Sequence, residues 1–442
     1  MMDLKNIYTI AKLSEVPVDW KIKRLKDIVI KVIDNRGKTP PNSKINSSYP
    51  LIEIFNFSKN KLNISLQEKQ KYVDQDIYLS WFRNGHPSSK SILISTVGNV
   101  GLIGITNIKN ICIAQNIVGI DIDSENHFKF VANYMKLKSF QNKIVEITMS
   151  AVQPSIKVPQ LLNLTVVLPP LEEQKKIARI LSTMDEQIEQ TDQLIEKTKE
   201  LKKGLMQQLL SKGIGQKALK HTELGEIPVD WEIKEIGEIF YTIVNMSLSR
   251  NQTVKNGDAY YLHYGDIHKN ELSLFDTKRD MNWLPMINEN EVNIKENAEL
   301  FTGDVVFADA SEDLKDIGKN VVVVNEGNSK FYAGLHTITI RELEEKIKLD
   351  TLFKGYCFKN EQIKKQIKRL TNGTTVFGIS KPNLLSIKFA VPPFLEQQKI
   401  ASILSSVDED IEGYEEEKVK YEELKKGLMQ QLLTGKMRVK VD

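Results

Sequence analysis

The sequence predicts an α+β chain organised as an internal pseudo-two-fold repeat, with two mixed α/β lobes joined by two long antiparallel coiled-coil helices. Three observations carry that expectation. Two segments occur twice, two proline-free amphipathic stretches are long enough to be rods, and short β-like runs fill the sequence between them.

The repeats come first. VPVDWKIKRLKDI from Val16 recurs as IPVDWEIKEIGEI from Ile227. LPPLEEQKKIARILSTMDEQIEQ from Leu168 recurs as VPPFLEQQKIASILSSVDEDIEG from Val391, and LKKGLMQQLL stands unchanged at Leu201–Leu210 and Leu424–Leu433. Self-similarity of this kind outranks every other sequence signal. Trp20 and Trp231 are 211 residues apart, whereas Pro169 and Pro392 are 223 apart. The 12-residue difference has to lie within the lobes, so a frame stays constant while its contents vary. The expected division is 1–168 (first lobe), 169–213 (first helix), 214–391 (linker and second lobe) and 392–442 (second helix and tail).

Each rod opens on a proline pair, Pro169-Pro170 and Pro392-Pro393, which is tolerated at a helix start and not inside one. Apolar residues then fall at three-and-four spacing. Ile177, Leu181, Met184, Ile188 and Leu205 mark one seam, and Ile400, Leu404, Val407, Ile411 and Leu428 mark the other. Gly213 and Gly435 supply the stops. A stretch of about 40 residues makes a rod of roughly 60 Å. A single apolar stripe on such a rod calls for a partner helix, and the nearest partner is its own repeat. Lobes at opposite ends would make the pair antiparallel. Residues 171–212 carry eight acidic and eight basic side chains, and residues 394–435 carry ten and five. The rods are therefore net −5 and the rest of the chain, against a total of +3, net +8. The positive excess lies in the lobes and connectors.

In the first lobe the runs Ser91–Thr96, Ile103–Thr106, Ile117–Ile122 and Leu164–Leu168 read as strands, and Phe128–Glu146 reads as helix. In the second, Asp304–Ala308, Val321–Asn325, His336–Ile340 and Ile387–Val391 read as strands, and Lys346–Leu370 as helix. Basic and turn-forming residues collect in the loops. The candidates for contact with phosphates and base edges are Arg36, Lys38, Lys44, Arg83, Ser89 and Lys90 in the first lobe, and Arg250, Asn251, Lys255, Arg279 and Lys315 in the second. Any one of them alone is as well explained as ordinary solvated surface.

Several chemistries find no seat. Val391-Pro392-Pro393-Phe394 lacks the side-chain carbonyl that an amino-methyltransferase motif needs at its first position. Gly98, Gly101 and Gly104 have the wrong spacing for a dinucleotide loop. There is no Walker A sequence, and the histidines make no H-E-x-x-H pattern. Asp309, Glu312 and Asp313 have no partner motif that would make a metal site. Cys112 and Cys357 form no CxxC pair, which argues against a disulfide framework or a structural zinc. No catalytic residue and no metal site is expected. Met1–Asp19 lacks a continuous apolar run and no stretch approaches membrane-span length, so a cytoplasmic protein without membrane contact is expected.

With these pieces on the page, the chain resembles the specificity subunit of Type I restriction-modification systems. PVDW at a lobe entry, LPPLEEQKKIARIL at its exit, LKKGLMQQLLSKG, the linker LLSKGIGQKALKHTELGEIPVDWE from Leu209 and the terminal LLTGKMRVK carry the likeness. So do NRGKTP from Asn35, STVGNVGLIG from Ser95 and AGLHTI from Ala333. The resemblance implies two target-recognition domains, each reading one half of a split double-stranded DNA sequence. It implies helices that dock two modification subunits, which carry S-adenosylmethionine and methylate adenine, and optional restriction subunits that use ATP and Mg²⁺. No cofactor is expected on this chain itself. Catalysis would belong to the assembled methyltransferase and endonuclease. Two other readings stand beside it: a coiled-coil scaffold whose lobes bind protein rather than DNA, and a recognition subunit of a methylation-only system. A fused single-chain enzyme would need an S-adenosylmethionine fold for which the repeat leaves no room.

Overall fold

The computed structural model describes residues 16–440 except 38, 43–46, 59, 67–68, 150–151, 216, 270–273, 328, 344–346 and 374. The chain divides into two compact units. One is Met1–Leu194 with Tyr414–Asp442, and the other is Ile195–Gly413. The division cuts both long helices, which span Leu171–Lys212 and Phe394–Leu432. Each unit thus contains one lobe, the start of one long helix and the end of the other.

In the first unit, Lys21–Arg24 pairs antiparallel with Thr165–Leu168, which brings the lobe's entry beside its exit. The central sheet has four strands, Val29–Ile33, Ile117–Ile122, Ile92–Ser95 and Ile103–Ile105 in spatial order, all antiparallel. A smaller sheet sets Pro50–Ile52 between Lys71–Tyr72 and Cys112–Ile113. The helical stretch expected over Phe128–Glu146 divides into Phe128–Lys136 and Lys138–Ile147. Leu137 takes φ −57 and ψ 140, and that extended residue breaks the run so that both halves turn apolar faces inward. Trp20 of PVDW packs edge-on to Phe130 at 6.4 Å. One core contains Trp20, Phe130, Phe140, Ile177, Ala178 and Leu181, with Leu432 and Leu433 from the end of the second long helix.

The second unit repeats the plan. Glu232–Glu235 pairs with Lys388–Val391 at entry and exit. Its larger sheet orders Phe240–Thr242, Thr337–Glu342, Val305–Ala308, Asn320–Val324 and Leu274–Asp276, the last strand joining in parallel. That fifth strand and a hairpin of Leu219–Thr222 with Gly225–Pro228 escaped the sequence reading. The late helical stretch again divides, into Thr351–Cys357 and Glu361–Leu370. Trp231, Phe353, Phe389, Ile400 and Leu404 share a core with Leu209 and Leu210 from the end of the first long helix.

The expected seam residues are buried or half-buried, and many of them pack against a lobe. Ile177, Leu181, Ile188, Ile400, Leu404, Val407 and Ile411 are buried. Met184, Leu205 and Leu428 are half-buried. Ile177, Leu181 and Leu428 pack into the first lobe's core, and Leu205, Ile400 and Leu404 into the second's. Much of the stripe therefore faces a lobe as well as the facing helix. Within each unit the helix segments run antiparallel. In the first unit Asp185 pairs with Lys425 and Asp192 with Lys418, one number rising as the other falls. In the second, Lys202 pairs with Asp408. Leu201 and Leu424, apolar positions of the same stripes, are exposed. Cys112 and Cys357 are free and buried, and burial pushes both thiols up to about 12.

Candidate nucleic-acid interface

The two lobes carry the same hydrogen-bonded frame at one end of two neighbouring interior strands of the main sheet. In the first unit the strand Ile92–Ser95 runs into Thr96, whose N–H donates to Asn116 O at 2.8 Å and whose carbonyl accepts from Ile156 N at 3.0 Å. In the second, Val305–Ala308 runs into Asp309, whose N–H donates to His336 O at 3.1 Å and whose carbonyl accepts from Ile379 N at 2.9 Å. The register agrees, with Ser95 opposite Ile117 and Ala308 opposite Thr337. A short hairpin closes each frame through reciprocal bonds of Met149 with Ser155 and of Asn372 with Gly378. Thr96 thus corresponds to Asp309, and Asn116 to His336.

Around the first frame, the loops at residues 34–37 and 83–90 are stitched together. Asn35 Nδ2 donates to Gly85 O at 2.9 Å, and Asn84 N donates to Asn35 Oδ1 at 3.0 Å. Arg36 holds both oxygens of Asp34, at 2.8 and 2.6 Å, and reaches Ile156 O at 3.5 Å. Burial alone would raise Asp34, but the Arg36 hydrogen bonds and charge outweigh it and lower its pKa. Arg36 therefore fixes the loop and is less free than its sequence position implied. Arg83, Ser89 and Lys90 are exposed on the neighbouring loop, without side-chain partners among the described residues. Behind that loop the rings of Tyr49, Tyr78 and His86 stack at 4.3 and 3.7 Å. Burial lowers the His86 pKa. Lys38 and Lys44 lie outside the described residues.

In the second unit Arg250 Nη1 binds Asp266 Oδ1 at 2.6 Å, and Asp266 also accepts from His263 N. Asn251, Lys255 and Lys315 are exposed, Lys315 on the loop that follows Asp309. Arg279 binds Asp280 at 2.9 Å and lies 3.9 Å from Glu412 on the second long helix, so two carboxylates compete for its charge. The sequence reading missed a ring cluster. Tyr264 lies 4.5 Å from His263, 5.8 Å from His268 and 5.4 Å from His336, centroid to centroid. His336 Nδ1 is 3.5 Å from Asp309 Oδ1. Asp309 does not join Glu312 and Asp313 in a metal-sized group, and no such group occurs among the described residues. The signal that would have exposed the cluster is the comparison of one copy with the other at strand ends. Screening histidines for a metalloprotease pattern could not find it.

Such rims offer exposed cations for phosphates and mixed donors and acceptors for base edges, both held on a rigid sheet. A constant frame with differing polar rims, present twice, is the build of a two-headed recognition protein. The model of the Type I restriction modification DNA specificity domain matches residues 17–200 and 228–421. The chain therefore belongs to the Type I restriction-modification specificity-subunit family and carries two DNA specificity domains. It is 32% identical over 442 residues to a Methanocaldococcus jannaschii protein named for the type I restriction enzyme MjaX specificity subunit, covering 97% of this chain and 96% of that one. It is 28% identical to the MjaVIII specificity subunit of the same organism, covering 96% and 94%. Among solved structures, the M. genitalium S subunit superposes with a TM-score of 0.53 at 15% identity, over 97% of this chain and 98% of that one. A chain from a structure of type I R-M complex assembly and conformational transition gives 0.57 at 15% identity, over 96% and 100%. These structures share the fold.

Proposed function

We propose that each unit reads one half of a bipartite double-stranded DNA target, and that the long helices dock two modification subunits. In this reading the chain supplies recognition, and the docked subunits supply S-adenosylmethionine-dependent methylation of adenine. ATP-dependent restriction subunits are further partners of the same assembly, which works in the cytoplasm where the DNA is. The observation that carries the reading is the repeated frame: Thr96 and Asn116 in one unit occupy the backbone positions of Asp309 and His336 in the other. A folding requirement would keep those side chains alike, whereas two different half-sites need them to differ. Exposed Arg83, Lys90, Lys255 and Lys315 supply charge for phosphates, and the lobes hold the positive excess of the chain.

The test uses the full chain co-expressed with the modification subunits of its system. Binding to duplex DNA should be sequence-specific and should weaken steeply with salt, because each neutralised phosphate releases counterions. Methylation mapping of the host should then show a split motif. Absent or salt-independent binding would sink the reading in favour of a protein-binding scaffold. Methylation without cleavage would identify a methylation-only assembly and leave the role of this chain unchanged.

A further inference from the structure

The two copies compared at one backbone position single out a residue. His336 precedes the central strand Thr337–Glu342 and adopts φ +57, one of three non-glycine residues with positive φ among the described residues. That region is disfavoured for a side chain with a Cβ, and residues held there gather at functional sites. The imidazole is about half exposed (51%), with its Nδ1 edge toward Asp309 and the Tyr264 ring on its flank. Its Nε2 has no partner among the described residues. Asp309 Oδ1 is shielded from solvent, and its one side-chain neighbour is His336 Nδ1, at 3.5 Å too long and ill-aligned for a good hydrogen bond. At the matching position of the first unit, Asn116 Oδ1 is likewise buried without a partner. The strand that follows is buried in both copies: Val118 and Ile120 stand where Ile338 and Ile340 stand, and Ile117 stands where Thr337 does. At this point of the frame each unit has a buried side-chain oxygen without a hydrogen-bond donor, Asn116 Oδ1 in one and Asp309 Oδ1 in the other.

We propose that His336 is a specificity-determining residue of the second unit, contacting a base edge through Nε2, and that Asn116 holds the corresponding position in the first. The imidazole presents Nε2 beyond the Asp309 contact, whereas the Asn116 amide, with its Oδ1 buried, presents its Nδ2 donor. The two therefore select different base edges. The inference rests on the DNA-reading function proposed above and names where in each unit that reading is done.

Full-length wild type, H336N and N116H, each with its co-purifying subunits, would be offered a library of duplexes with both half-sites randomised. Asparagine tolerates positive φ better than most residues, so H336N should fold, and its thermal melt verifies this. H336N should change the base preferred at a position of the half-site read by the second unit by about tenfold and leave the other half unchanged. N116H should do the converse, and it keeps the question open to test if H336N does not fold. Unchanged preference in both halves, a change in the wrong half, or a uniform loss of affinity across all duplexes would overturn the inference while leaving DNA reading intact. A wild type that enriches no split sequence would remove both.

Discussion

Lys425 and Lys136 are two buried lysines of the first unit whose charges are handled differently. Lys425 is buried against Asp185 at 2.5 Å, and the pair has an exact counterpart in composition, Lys202 with Asp408, in the other unit. Breaking such a pair leaves an uncompensated charge, which explains why both halves of it persist in both copies. Lys136 ends the helix Phe128–Lys136, just before the break at Leu137. Its Nζ donates to Lys61 O at 2.6 Å. Burial, with the Lys425 charge adding to it, brings its pKa down to about 8. Between that value and the usual 10.5 the folded chain binds fewer protons than the unfolded chain. The contribution of Lys136 to stability therefore rises with pH across that window and is smallest below it. In urea melts, wild type should gain on K136M between pH 8 and 10, and parallel pH profiles would rule this out. Nothing in the sequence marked Lys136 apart from the other lysines, because its environment is assembled from a helix, a loop near Ser58 and Lys425 of a long helix, 289 residues away in sequence.

At the scale of elements, the long helices were legible and their stops more so. Gly213 and Gly435 both take positive φ, +71 and +77. They also sit where a Cβ would strike the lobe. At Gly213 it would come 2.5 Å from Glu396 Oε1 and 3.2 Å from the Trp231 ring, and at Gly435 2.5 Å from Pro17. Glu396 is itself engaged, accepting from Ile214 N, Lys217 Nζ and Trp231 Nε1. Each stop thus locks a helix end onto a PVDW segment. Gly215, at φ +75, has open space around its Cβ position. G213A should then lose about 2–3 kcal/mol, and G215A only the 1–2 kcal/mol of the left-handed conformation. Equal losses in thermal or denaturant melts would mean that the packing against Trp231 contributes nothing. The seam was readable as a seam, but not as a stripe divided between a lobe and the facing helix. Periodicity reports which face is buried and is silent about what buries it.

For the whole molecule, the duplication separates what varies from what does not. If the rods set the unread gap, removing seven residues from each shortens them by about 10 Å. Methylation mapping of a host carrying that deletion should show a changed spacer between unchanged half-sites. A changed half-site would count against the helices as spacer and place them within the reading surface.

The sequence by itself determined the repeat, the two helices with their proline starts and glycine stops, the mixed α/β character of the lobes and the family. These are local or periodic properties, so they survive in a one-dimensional string. Only the tertiary structure decided which loops meet. It bound Arg36 to Asp34, moved Arg279 beside Glu412 and aligned Thr96 with Asp309 and Asn116 with His336. Residues such as Asp309 and His336 lie 27 positions apart in sequence and become neighbours through strand pairing, so no short motif could announce them. A recognition surface is assembled from loop tips that the sheet gathers, and that gathering depends on strand order and register.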